Sequence, residues 1–232
     1  MTVKAFLRNS KEKLKVLSVH VNLLWLKIIA REITVKFKNV LVLSPHYDDE
    51  VIGVGGIITQ TLQNGGKVYI VFLSDGQNTG SFPDKGRIAK ERCLLAEKVL
   101  REYNIPQEHV WWLHLPDESV PRKGKEGFFA IRDKISEVID FVKPDTVLAT
   151  HYLDKHTDHV ACYELAEDAV NQADHKSVLW LYMVWGWFRV FPWEYFQTLK
   201  IRKVSTGTEN KKKKELLDIY LIPESPTGAP WS

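Results

Sequence analysis

A chain of 232 residues, 44% hydrophobic and 26% charged, is long enough for one large core and too ordinary in composition to be disordered or fibrous. A formal charge of +3 gives no electrostatic footprint for nucleic acid, so no nucleic-acid partner is expected. The two cysteines, Cys93 and Cys162, are isolated and form no CxxC, which excludes a disulfide framework and fits a reducing, cytoplasmic setting. Taken in chain order, the first element is a stretch from Leu14 to Ile33, rich in Leu, Val and Ile. Lys15, His20, Asn22, Lys27 and Arg31 interrupt it, so no uncharged run approaches the ~20 residues of a membrane span, and no small-residue cleavage site follows. On a helical wheel Leu14, Leu17, Val21, Leu24 and Ile28 share one face, with Val16, Val19, Leu23 and Leu26 opposite. A helix apolar on two sides is usually sandwiched in protein, so residues 1–37 are expected to be a packing extension rather than a basic interfacial membrane helix.

From Asn39 onward the pattern alternates. Strands are predicted at 40–44, 67–73, 109–113 and 146–150, and helices at 52–64, 86–103, 127–142 and 159–173. Asn64-Gly65-Gly66 and Lys143-Pro144-Asp145 stand where helices should stop. Such alternation implies βαβ units: an α/β domain over residues 38–232, a Rossmann-like three-layer sandwich with a mainly parallel sheet. No internal repeat is visible. From about residue 177 an aromatic run, Leu179-Trp180 through Trp187-Phe188 to Phe196, predicts a buried strand and a lid on the sheet edge, or a platform for sugar rings or a lipid-linked acceptor. The Lys211–Lys214 run is expected to be solvated surface.

The chemistry is concentrated in Ser44-Pro45-His46-Tyr47-Asp48-Asp49-Glu50, at the end of the apolar run Val40–Leu43. Several buried carboxylates repel one another and cost several kcal/mol each unless a cation resolves the conflict. A second cluster, His156-Thr157-Asp158-His159, follows the apolar stretch Thr146–Thr150. In an open parallel sheet, groups leaving the carboxyl ends of strands meet in one crevice. Two histidines and a carboxylate form a common zinc set with a fourth position for water, so His46, Asp49 and His159 are the expected ligands of one Zn²⁺ per chain. Asp48 is placed to take a proton from that water, and His156 to polarise a carbonyl oxygen or protonate a leaving amine. Asp158 either fixes a neighbouring imidazole or caps the helix that follows. His109, His114 and His151 are expected to be ordinary hydrogen-bonders. Gly53, Gly55 and Gly56 are not a dinucleotide fingerprint, because acids stand where pyrophosphate would approach; they let the next helix lie close to the sheet.

Pro45-His46-Tyr47-Asp48-Asp49-Glu50 with Gly53-Val54-Gly55-Gly56, together with His156-Thr157-Asp158-His159, resembles the PIG-L/LmbE-like family of zinc-dependent N-deacetylases over roughly residues 38 to 175. Leu73-Ser74-Asp75-Gly76 and Leu115-Pro116-Asp117 are similar to its later turns. The resemblance implies zinc ligands at His46, Asp49 and His159, a general base at Asp48, and His156 acting on the tetrahedral intermediate or the departing amine. It also implies Asp117 as support near the substrate and an arginine in the helix after the second motif strand, Arg87 or Arg92. The family pattern has Pro where Tyr47 stands, and some members carry a tyrosine where this chain has Asp154. Lys213 to Tyr220 is similar to the family's C-terminal helix, with Leu221-Ile222 in place of its Ser-Gln. The expected function is hydrolysis of an N-acetyl group from an N-acetylglucosamine-type sugar or its conjugate, releasing acetate. The rivals are an amidase acting on another acylated small molecule and a non-catalytic metal-bound interaction module; oligomeric state is left open.

Overall fold

The computed structural model describes residues 19–21, 24, 25, 28, 30–33, 36–78, 84–186, 201–205 and 210–220. After a short strand β1 (Arg31–Ile33), the chain runs through β2 (Asn39–Ser44), α1 (Asp49–Gln63), β3 (Lys67–Ser74), α2 (Lys85–Tyr103), β4 (Val110–Leu115), α3 (Phe128–Val142), β5 (Thr146–Thr150), α4 (Thr157–Gln172) and β6 (Val178–Tyr182). A short β7 (Arg202–Val204) and a helix α5 (Asn210–Tyr220) close the described chain. The predicted elements are present with their ends moved. Helix α1 starts three residues earlier than expected because Asp49 and Glu50 occupy its first turn, where acids complement the exposed N–H groups.

Five strands form one parallel sheet in the order β4-β3-β2-β5-β6. The chain winds outward from β2 to β4, then returns to lay β5 on the other side of β2. The order therefore reverses between β2 and β5, and the crevice outside their carboxyl ends is where such sheets bind ligands. Strand β2 is buried on both faces. Val40 and Val42 join the core under α1 and α2, while Leu41 and Leu43 join the core under α3 and α4. Two apolar layers of this kind make the three-layer α/β sandwich.

Close packing at the crevice needs a glycine. A Cβ on Gly53, in the first turns of α1, would overlap the ring of Tyr182 at the end of β6. Tyr182 in turn donates its hydroxyl to the Leu43 carbonyl at 2.9 Å, tying the far edge strand to β2.

The ends of the chain are joined: β1 pairs in parallel with β7, Arg31 opposite Arg202. Residues 19–21, 24, 25 and 28 are helical. Trp25 packs with Tyr152, Met183 and Ile201 around Leu153. Val21, Leu24 and Ile28 are 47%, 62% and 71% exposed, so among the described residues the expected sandwich is covered on the Trp25 side only. The predicted edge strand is β6. Most of the aromatic run beyond it, residues 187–200, lies outside the described residues. The lysine run is not uniformly solvated, because Lys213 Nζ reaches inward to the Ile52 carbonyl at 2.6 Å.

Candidate metal centre and active site

Leaving β2, the chain makes a tight turn. Ser44 Oγ donates to the His46 carbonyl at 2.8 Å, and the Ser74 amide donates to the Pro45 carbonyl at 2.9 Å, which anchors the turn to β3. Asp49 Oδ2 then folds back to accept the His46 amide at 3.1 Å and stands 3.0 Å from His46 Nδ1. Between them Asp48 is forced to φ 130°, ψ −28°. A residue with a Cβ reaches this region only where its surroundings over-determine it, and such strain gathers at functional sites.

The second half arrives from β5. His156 stands at the N-cap position of α4 without a side-chain capping bond, and Thr150 Oγ1 donates to the His159 carbonyl at 2.9 Å. His159 Nε2 is thereby brought within 3.2 Å of Asp49 Oδ2. The rings of His46, His156 and His159 pack with centroids 4.9 to 5.3 Å apart.

Among the described residues, two three-residue sets have ligand atoms close enough to share one ion: His46, His156 and His159, and His46, Asp117 and Asp158. The hydrogen bonds favour neither as it stands. His46 Nε2 is held by Asp117 Oδ1 at 3.1 Å and Asp158 Oδ2 at 3.2 Å, which leaves Nδ1 toward Asp49. His159 Nδ1 is held by Asp154 Oδ2 at 2.9 Å, which leaves Nε2 toward the same Asp49 oxygen. Imidazoles that ligate metal characteristically give their other nitrogen to a carboxylate. His159 Nε2 is buried and has no aligned hydrogen-bond partner despite the nearness of Asp49. The spacings of 3.0 and 3.2 Å from Asp49 Oδ2 to the two nitrogens are close to the ~3.3 Å separation of neighbouring ligands on a zinc ion with bonds of ~2.0–2.1 Å. His46 Nδ1 and His159 Nε2 thus both face Asp49 Oδ2.

The electrostatics point the same way. Burial pushes Asp49 up, but His159 and His46 more than reverse this and hold it well below the usual carboxylate range. Burial pushes His46 down, and Asp117, Asp158 and Asp49 outweigh it, keeping the ring well above the usual imidazole range. Without an ion, this turn draws its positive charge from histidine. Asp48 differs: burial raises it to about 6, against the pull of the Arg92 guanidinium 3.4 Å away. His156 is lowered to about 4, by burial first and then by the charge of its two histidine neighbours.

A protein-family model described as "PIG-L: GlcNAc-PI de-N-acetylase" matches residues 41–170, more than half of the chain and both halves of this site. The chain belongs to the PIG-L family. Several solved structures share its fold. The N,N'-diacetylchitobiose deacetylase from Pyrococcus horikoshii is 24% identical with a TM-score of 0.55, and the match covers 63% of this chain and 60% of that one. The chain thus spans less than two thirds of that enzyme's length. The A40926 pseudoaglycone deacetylase is 20% identical, with TM-score 0.57 and coverage of 81% and 84%. The 4-carboxy-2-hydroxymuconate hydratase from a Pseudomonas is 21% identical, with TM-score 0.52 and coverage of 61% and 62%.

Within this PIG-L fold, His46, Asp48, Asp49, Asp117 and His156 line one cavity, and His159 and Asp158 lie directly behind it. Asp158 does not cap its helix. With no solvent exposure, it accepts the amides of Glu118 and Val120 at 2.8 and 3.3 Å while bonding His46, so it joins the loop after β4 to the first motif. Asp117 accepts the Asn78 amide at 3.1 Å; burial raises it, but His46 and Asn78 outweigh this and hold it at about 2.

Arg87 is not at the site. It sits exposed in the first turn of α2, paired with Glu91 at 2.8 Å. The arginine at the site is Arg92, whose Nη2 donates to the Tyr47 carbonyl at 2.6 Å beside Asp48. The signal was in the periodicity, since Arg92 falls on the buried stripe Ile88, Arg92, Ala96, Val99 and Arg87 falls off it. Tyr47 fills space under the turn, packed edge-on to Phe72 and Trp112 with its hydroxyl 3.3 Å from His114. His109 and His151 bond backbone groups as expected.

Sequence reading gave no role to Asp154. Besides His159, this buried carboxylate accepts the amides of Val184, Trp185 and Gly186 at 2.6 to 3.2 Å. It therefore holds His159 and the chain leading away from β6 together. Nothing in local sequence separates such an acid from a surface turn residue.

Proposed function

We propose that this chain is a zinc-dependent N-deacetylase that removes the acetyl group from an N-acetylglucosamine-type sugar or its conjugate. The observation that carries the reading is a pair of adjacent buried carboxylates in opposite states. Asp49 is committed to two histidines as a ligand, whereas Asp48 is raised to about 6 and held beside them by Arg92 rather than by a ligand histidine. A zinc ion on His46, Asp49 and His159 would supply Lewis acidity and lower the pKa of bound water toward neutrality.

The residues of the chain do the rest. Asp48 takes a proton from the attacking water and passes it to the departing nitrogen as the C–N bond breaks, and the acid formed gives its own proton to the amine, so water and amide become acetate and an ammonium group. His156, unprotonated at neutral pH, presents a neutral imidazole to the oxyanion as charge develops. Asp154 and Asp158 keep the ligand imidazoles in the required tautomers. Trp185 and Ile52 give the cavity an apolar wall suited to a sugar ring, and Asn78 and Glu118 give it polar groups for hydroxyls.

The sugar reading is supported by the family's printed description and by the chitobiose deacetylase neighbour. The pseudoaglycone deacetylase neighbour supports the broader class, acylated small molecules. The hydratase neighbour makes the reaction, not the fold, the quantity to test. The test is acetate release from N-acetylglucosamine, diacetylchitobiose and an N-acetylglucosaminyl conjugate, before and after chelation and after zinc is restored. Release that disappears on chelation and returns with zinc is the expected result. No acetate from any of the three, with zinc measurably bound, would remove the sugar reading.

A further inference from the structure

Helix α5 packs against α1 and α2 and ends at Tyr220, a buried residue 170 positions from the first motif. The Tyr220 hydroxyl donates to Glu50 Oε1 at 2.6 Å. Glu50 has no solvent exposure, and its other oxygen accepts the backbone N–H of Asp48 at 3.0 Å. Two buried hydrogen bonds therefore run from the last described residue of the chain to the backbone of the residue at φ 130°. Lys213, two turns earlier on the same face of α5, pins the same helix to the Ile52 carbonyl in the first turn of α1.

Glu50 is otherwise hard to explain. It lines no part of the cavity, and a buried carboxylate is costly unless it is hydrogen-bonded. Its two oxygens are spent on one backbone amide and one distant hydroxyl. A strained backbone persists only when several contacts enforce it, and Glu50 grips the backbone amide of Asp48 while Arg92 stands beside its carboxylate.

We propose that Tyr220 is a positioning residue: through Glu50 it holds the Asp48 backbone in the strained conformation that aims its carboxylate into the site. The C-terminal helix thereby becomes part of the active-site turn. The catalytic half of this inference rests on Asp48 being the general base; the mechanical half does not.

The test uses the full, zinc-loaded chain and the Tyr220→Phe variant, which keeps the ring and removes only the donor. Residue-resolved hydrogen exchange should show the Asp48 amide exchanging faster in the variant, with the C-terminal half of α1 unchanged. The turnover number should fall roughly ten- to a hundredfold, as for a small misplacement of a reacting group, with KM and zinc affinity unchanged. In an Asp48→Asn background the same change should cost nothing further in kcat, whereas general loosening would act additively. Glu50→Leu removes both acceptors, leaving neither Tyr220 nor the Asp48 N–H a partner there, and should reproduce both effects. Unchanged exchange at Asp48 in both variants, or a loss of kcat that persists in the Asp48→Asn background, overturns the proposal. Faster exchange in a protein that deacetylates nothing would leave the latch standing and remove the function proposed above.

Discussion

Asp48 and Asp49 are identical in chemistry and adjacent in sequence, and their surroundings separate them. Asp49 folds back onto two imidazoles, while Asp48 is turned the other way by its backbone and faces Arg92. Replacing Asp48 with Asn is expected to leave zinc binding intact and reduce turnover by ~10²–10⁴-fold, the contribution of a general base. Rate against pH reports the same carboxyl. Asp48 must be ionised to act, so kcat/KM should fall as pH drops through its pKa. Burial sets that pKa at about 6 without a metal, and a bound cation draws it lower. Replacing Arg92 with Met removes a stabilising positive charge, so the acid limb should move to higher pH; a limb that stays put would take Arg92 out of this role. Arg87→Ala should change neither limb nor rate. Asp154→Asn tests the carboxylate behind His159: zinc affinity, measured by competition with a chromophoric chelator, should weaken about 10–100-fold although no ligand is touched.

At the scale of elements, the site is a consequence of strand order. The winding places β5 beside β2, so that two turns about a hundred residues apart face one another across a single strand spacing. Helix α1 must then lie close enough to the sheet for its first turn to present Asp49 to His159. The contact of Gly53 on Tyr182 permits this approach. Gly53→Ala should cost about 1–3 kcal/mol in denaturant unfolding, the usual penalty for overpacking a tight interface. Because the overlap is with the ring itself, pairing the change with Tyr182→Leu should recover part of that loss. Arg92 belongs to this scale too, since only its position on the buried stripe of α2 distinguishes it from Arg87.

For the whole molecule, the active-site turn is where distant parts of the chain meet. The β4–α3 loop arrives through Asp117 and Asp158's amide partners, the segment after β6 through Asp154, and α5 through Tyr220. A ligand that binds only this assembled arrangement stabilises the whole fold by mass action. Free zinc at about 100 times its Kd should therefore add ~2.7 kcal/mol, read as a rise in Tm that chelation reverses and His159→Asn abolishes. A Tm indifferent to zinc would deny the metal centre. Both cysteines are free, and Cys162 lies fully buried behind β2, where burial pushes its thiol up to about 12.

The alternation of apolar runs and amphipathic stretches dictates an α/β sandwich, because only helices on both faces of a parallel sheet can bury strands such as Val40–Leu43. The two polar clusters are equally legible: several acids and histidines at the ends of buried strands have few stable explanations besides a cation. Local sequence cannot encode which distant group each of these residues meets. Asp154, Tyr220 and Arg92 acquire their roles only when strand order and helix packing bring residues 32 to 170 positions apart into hydrogen-bond contact. The same limit applies to the N-terminal helix. Its two apolar faces are written in its sequence, but that only the side bearing Trp25 meets protein among the described residues depends on where Leu153 and Met183 stand in the folded chain. Periodicity records that a face is apolar, and tertiary packing decides what, if anything, covers it.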